Sequence, residues 1–233
     1  MTHTTPALTA PGALRRALAG QRVLVAVRAP RIPDVTALCE ALHKGGIGVI
    51  ELTFTTPGIE ADLAVAARYA ASADSADVVV GAGTVTRPDQ ARAAIDAGAS
   101  FLVTPGVSPA TSEVARIAGD AGVPLMLGAF TPSEVMGALD LGAEVVKVFP
   151  ASLGGPRLIA DLHGPFPDVP LVPSGGVTAD NAQAFLDAGA LAVSAGTGVV
   201  PPAAVGAGDW ALIEEAARSF RAGLRSDSTT DIT

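Results

Sequence analysis

Leu141-Gly142-Ala143-Glu144-Val145-Val146-Lys147-Val148-Phe149-Pro150 joins a small-residue turn to a short, mostly β-branched apolar run. A run of this kind reads as a strand buried on both faces. The pattern returns at residues 45–52 (GGIGVIEL), 97–105 (AGASFLVTP), 121–130 (AGVPLMLGAF) and 188–196 (AGALAVSAG). Gly98, Gly122 and Gly142 are spaced by roughly 20 to 25 residues, and the gaps to Gly46 and Gly189 are about twice that, so the unit is one helix plus one strand. Each of these glycines stands where a helix stops in a left-handed cap, a conformation that costs a residue with a Cβ, and the strand begins at once.

Helix starts are equally legible. Thr131-Pro132-Ser133-Glu134 combines a capping box with proline at the first helical position, and Ser108-Pro109 and Thr86-Arg87-Pro88-Asp89 are looser versions. The strands expected between them are Val23 to Ala29, Val49 to Phe54, Val78 to Val85, Phe101 to Pro105, Pro124 to Phe130, Val145 to Pro150, Leu171 to Ser174 and Leu191 to Gly196. Eight apolar strands with intervening helices point to an α/β chain folded as a closed (β/α)8 TIM barrel, with an open doubly wound sheet as the alternative. In the barrel, functional groups should gather at the C-terminal ends of the strands.

With 233 residues, 49% of them hydrophobic, the chain can bury one large core. No linker interrupts its middle, so a single domain is expected over residues 11–225, with flexible ends at 1–10 and 226–233. A formal charge of −8 leaves no basic face for nucleic acid. Cys39 is the one cysteine, read as a small buried hydrophobe in a helix, which excludes an intrachain disulfide and suits a reducing compartment. Arg15, Arg16, Arg22 and Arg28 break up any apolar N-terminal segment, and no long uncharged apolar span follows, so no membrane partner and a cytoplasmic location are expected.

Polar residues inside the apolar runs carry the chemistry, since a charge on a buried strand is costly unless paired or used. There are two lysines against 13 arginines. Lys44 sits at a helix end, where a cation faces the carbonyl end of the helix dipole. Lys147 sits near the end of a buried strand, where desolvation penalises the ammonium and leaves a free amine to attack a carbonyl. The alternative is a lysine that pairs with a carboxylate at the barrel mouth. Glu51 alternates with apolar neighbours and should point into the barrel with Thr53, as the partner of Lys147 in either reading. Arg28, ending the first strand, is the available cation for a substrate carboxylate, or else a surface arginine.

Ser174-Gly175-Gly176-Val177 follows the seventh strand and Ser194-Ala195-Gly196-Thr197-Gly198 ends the eighth. In such barrels these two loops commonly form a phosphate site, because bare glycine backbone lets N–H groups converge on an anion. Tight turns use glycine pairs too. His3, His43 and His163 fall in a tail, a helix end and a loop, so no histidine cluster offers itself to zinc, and the reading calls for no cofactor.

At Glu51, Gly81-Ala82-Gly83-Thr84-Val85, Lys147-Val148-Phe149-Pro150 and Ser174-Gly175-Gly176, in order from about Val23 to about Trp210, the chain resembles the 2-keto-3-deoxy-6-phosphogluconate (KDPG) and 4-hydroxy-2-oxoglutarate (KHG) aldolases. The resemblance implies a (β/α)8 barrel, often a homotrimer, that acts on small 2-keto-acid sugar substrates of the Entner–Doudoroff route. It implies that Lys147 is the Schiff-base lysine and Glu51 the general acid/base. Thr84 would hold the pyruvyl carboxylate, Pro105 and Phe149 would wall the pocket, and Ser174, Gly175, Gly176, Gly196 and Thr197 would receive the distal phosphate. One position departs. Many members carry arginine four residues after the glutamate, where this chain has Thr55; others carry it at the end of the first strand, and Arg28 matches that variant.

The expected function is therefore a class I aldolase that cleaves KDPG to pyruvate and glyceraldehyde 3-phosphate, with KHG as a further substrate. The galactonate epimer as substrate, a sugar-phosphate isomerase or epimerase on the same barrel, and a non-catalytic sugar-phosphate binder are the alternatives.

Overall fold

The computed structural model describes Leu8, residues 10–72, Ser75 and residues 77–225. The flexible ends expected at 1–10 and 226–233 fall outside these residues, apart from Leu8 and Ala10. In chain order the elements are α1 (Ala13–Gln21), β1 (Val23–Val27), α2 (Val35–Lys44), β2 (Val49–Thr53), α3 (Ile59–Ala70), β3 (Val79–Gly83), α4 (Pro88–Asp96), β4 (Leu102–Val103) and α5 (Pro109–Asp120). They continue with β5 (Leu125–Ala129), α6 (Pro132–Asp140), β6 (Val145–Val148), α7 (Gly155–His163), β7 (Leu171–Pro173), α8 (Ala179–Asp187), β8 (Val193–Ala195), α9 (Pro202–Ala207) and α10 (Trp210–Ala222).

All eight expected strands form, and every strand pairing among the described residues is parallel, in the order β7-β6-β5-β4-β3-β2-β1-β8. A parallel bridge between Ser174 and Ser194 joins the two ends, helped by a 2.9 Å bond from Leu191 N–H to the Leu171 carbonyl. Neighbours in the sheet are neighbours in the chain and the sheet closes, which rules out the doubly wound alternative, whose strand order reverses. The turns behave as their residues demand. Gly46, Gly98, Gly122, Gly142 and Gly189 all have φ between 67° and 103°. The Thr131–Glu134 and Ser108–Thr111 capping boxes both form.

Strand alternation sorts the interior into two clusters. Val23, Val25, Val27, Ile50, Leu52, Val80, Leu127, Val146 and Val148 face outward to the helices. Their alternates Leu24, Val49, Val79, Phe101, Val103, Met126, Val145, Val172 and Ala192 face the barrel axis. Leu14 and Leu18, four apart on one face of α1, are fully buried with this inner cluster, as is most of Leu8. The Gln21 side chain fastens the end of α1 there, accepting from the N–H groups of Gly48 and Val49 at 2.7 and 3.1 Å and donating to the Asp77 carbonyl. The N-terminal end of the barrel is therefore sealed with hydrocarbon, and polar groups on the inner face are left only toward the C-terminal end. Cys39 lies fully buried in α2, where burial pushes its thiol up to about 12. No helix among the described residues is long and apolar enough to cross a membrane.

Candidate active site

Above the hydrocarbon floor the inner face of β2 presents Glu51 and then Thr53, and that of β6 presents Lys147. Both charged side chains are nearly inaccessible, Glu51 at 1% and Lys147 at 7% exposure. They meet across the barrel, with Lys147 Nζ 3.3 Å from both Glu51 Oε1 and Oε2. Neighbouring strands make the room. A Cβ on Gly83 would lie 1.9 Å from Glu51 Oε1, so the carboxylate fills the space that a side chain on β3 would take. Gly128, the register partner of Lys147 on β5, is equally constrained, because a Cβ there would stand 2.2 Å from the Pro105 backbone. Thr104 holds this arrangement, accepting from Gly128 N–H at 3.2 Å and donating to the Gly106 carbonyl at 2.9 Å.

A pair of opposite charges out of water is held only by mutual attraction and is costly in desolvation. Moving one proton from Nζ to a carboxylate oxygen replaces two buried charges with an amine and an acid. The geometry thus joins a candidate nucleophile to its own proton acceptor.

Lys147 opens onto a cavity of about 390 Å³ at the C-terminal end of the strands. Arg28 and Phe149 line it with Lys147, as do Ser174, Gly175, Gly176, Gly196 and Thr197. Gly175 and Gly176 both have positive φ, 83° and 82°, and among the described residues no acceptor takes the N–H of Gly176. Glycine turns without side chains let backbone N–H groups approach an anion closely. A Cβ on Gly176 would come within 2.6 Å of Ser152 Cβ, so the cradle tolerates no side chain at that position.

Two expected residues sit elsewhere. Pro105 lines a separate hollow of about 240 Å³ with Val85, Thr86 and Ser108. Thr84, half-buried in the turn after β3 with φ +55°, does not line the cavity. Among the described residues, no group of three or more His, Cys, Asp or Glu could hold a metal ion.

The family model for KDPG and KHG aldolase matches residues 14–216. The chain belongs to the KDPG and KHG aldolase family. It is 37% identical over 198 residues to the 2-dehydro-3-deoxy-phosphogluconate aldolase of Pseudomonas aeruginosa, covering 84% of this chain and 86% of that protein. The KDPG aldolase of Legionella pneumophila, solved with pyruvate captured as a covalent carbinolamine intermediate, superposes with TM-score 0.76 at 31% identity over 91% of this chain and 98% of that one. That of Zymomonas mobilis, solved with 3-phosphoglycerate, gives TM-score 0.77 at 29% identity over 94% and 100% of the two chains.

In this aldolase the strand-borne charges were legible in the sequence and several neutral supports were not. Gly83, Gly128 and Thr104 shape the Lys147–Glu51 pair without carrying charge; for the two glycines the one signal was glycine inside an apolar strand, which marks close approach of another group. Ser194, buried at 3% and lining the cavity, accepts from Ser174 Oγ at 3.2 Å.

Proposed function

We propose that this aldolase cleaves KDPG to pyruvate and glyceraldehyde 3-phosphate through an imine on Lys147. The observation that carries the reading is the buried contact of Lys147 Nζ with both oxygens of Glu51, beside a cavity that Lys147 and the glycine cradle both line. Glu51 takes the ammonium proton, and the amine adds to C2 of the keto acid to form a carbinolamine. Returned to the C2 hydroxyl, that proton leaves with it as water, and the iminium becomes the electron sink. The Glu51 carboxylate then removes the C4 hydroxyl proton. The C3–C4 bond breaks, its electrons pass to the iminium, and the aldehyde departs. Protonation of the enamine at C3 and hydrolysis release pyruvate and restore the amine.

Arg28, in this reading, receives the substrate carboxylate, and Gly175, Gly176, Gly196 and Thr197 receive the phosphate, with Ser174 beside them and Phe149 as a wall. The glycine-lined end of the cavity, with the Gly176 N–H free, supports a phosphorylated substrate over unphosphorylated KHG. The relative solved with covalent pyruvate supports the imine. Family membership sets aside the isomerase and the non-catalytic binder. The reading extends to a cytoplasmic homotrimer; the exposure of Met136 and Leu139, three apart on one face of α6, supports assembly.

Pyruvate with borohydride should add one reduced adduct to the intact protein, located by peptide mapping on Lys147. An unmodified Lys147, or an adduct on Lys44 alone, would remove the imine from the mechanism.

A further inference from the structure

Arg28 is the one cation besides Lys147 that lines the cavity, and among the described residues no carboxylate pairs with it. Its place is fixed by hydroxyls. Arg28 Nε lies 3.1 Å from Thr55 Oγ1, Thr55 Oγ1 lies 2.8 Å from Thr53 Oγ1, and Thr53 Oγ1 lies 2.9 Å from the Val27 carbonyl.

Counting protons settles every direction in this chain. A carbonyl only accepts, so Thr53 spends its single hydroxyl proton on Val27. Thr53 can then only accept from Thr55, which spends its own proton in turn. Thr55 is left with lone pairs, and they face the one group there that must donate, the guanidinium N–H. The relay starts on β1, crosses to the end of β2 and returns to β1, one residue before the arginine it holds. Thr56, in the same turn, ties the next residue by accepting from Ala29 N–H at 3.3 Å. Thr53 is fully buried, so the anchor is rigid, whereas Arg28 and Thr55 are exposed at the mouth.

We infer that Thr55 is a positioning residue for Arg28, oriented by Thr53, and that this relay sets the affinity of the site for the carboxylate of its keto acid. The inference rests on the assignment of the substrate carboxylate to Arg28. With Nε committed to Thr55, both Nη groups are left for a bidentate contact, and the rotamer entropy of a long side chain is removed before the ligand arrives. Substrate binding is then the step that Thr55 controls, and bond cleavage is not.

The test uses pyruvate as probe and reads, by intact mass, the concentration that half-saturates borohydride trapping on Lys147. Arg28→Ala should raise that concentration by about 100-fold or more, consistent with loss of a charge-assisted contact. Thr55→Val keeps the shape and loses the hydroxyl; it should raise it about tenfold, with KM for the cleavage substrate rising in step and kcat falling less than about threefold. Thr55→Ser should stay near wild type, which a merely space-filling role would not produce. Thr55→Ala carries the same expectation as Thr55→Val should the latter fold poorly. If Arg28→Ala leaves half-saturation unchanged, the carboxylate assignment falls and the relay with it. If Arg28→Ala weakens pyruvate while Thr55→Val does not, or if Thr55→Ser is as impaired as Thr55→Val, the relay alone is wrong.

Discussion

Glu51 can occupy its position only because residue 83 has no side chain. The nearest atom to a Cβ on Gly83 is the carboxylate oxygen itself, at 1.9 Å, followed by Glu51 Cδ at 2.4 Å. Gly83→Ala would push the end of a flexible side chain aside and leave the backbone of β3 unaltered. The expected result is a fall in kcat/KM of about 100-fold, the cost of misplacing a reacting group by about 1 Å, with the thermal transition little changed. Steady-state kinetics beside a melting curve checks this, and wild-type turnover would show that Glu51 needs no such fit. Lys147 and Glu51 were readable from sequence because a charge in a buried strand has no bland explanation that is also cheap. Gly83 was not readable in the same way, since glycine announces a gap and does not say whose atoms fill it. Thr84 and Pro105 were expected in the pocket from the family resemblance alone; Pro105 lines the neighbouring hollow, with its backbone against Gly128 beside Lys147.

At the scale of elements, α6 shows how strongly a few residues set a boundary. Thr131 Oγ1 accepts from Glu134 N–H at 3.3 Å, while Glu134 Oε2 accepts from the N–H groups of Phe130 and Thr131 at 2.8 Å. These backbone N–H bonds hold the Glu134 carboxyl below its ordinary value of 4.5. A depressed folded-state value stabilises above the unfolded value and loses that contribution as pH falls through the folded one. Urea denaturation should therefore show a loss of stability beginning below about pH 4.5 that Glu134→Gln removes, and Thr131→Ala should cost about 1 kcal/mol at neutral pH. An unchanged acid limb in Glu134→Gln would mean that the box contributes nothing to the pH response. Every strand was placed by its apolar run, yet β4 is reduced to Leu102–Val103 where Phe101 to Pro105 was expected. At its C-terminal side Thr104 N–H still bonds to the Met126 carbonyl at 3.0 Å, but its hydroxyl takes the Gly128 N–H that would otherwise continue the ladder. Propensity does not register a side chain that competes for the backbone.

The whole molecule is a barrel open at one end. Leu14 and Leu18 of α1 complete the inner hydrocarbon cluster, and Leu18→Ala should cost about 2–5 kcal/mol through lost burial and the cavity left behind. Because the reacting groups lie at the opposite end, kcat at low temperature should survive. Denaturation and kinetics on the same preparation test both halves, and a variant as stable as wild type would show that α1 is not part of the core. The barrel as a class was legible from the strand count and the helix–strand period. Its floor was not: arginines at 15 and 16 interrupt the apolar residues of the first helix, and two leucines four apart are too short a pattern to mark a buried face. That floor governs traffic. In the mechanism proposed above, with hydrocarbon beneath the keto acid, everything enters and leaves by one doorway, and the three-carbon fragment still tethered to the lysine sits deepest. The aldehyde must go first, the acid second, and an accumulating aldehyde in the surrounding fluid obstructs the way out for both.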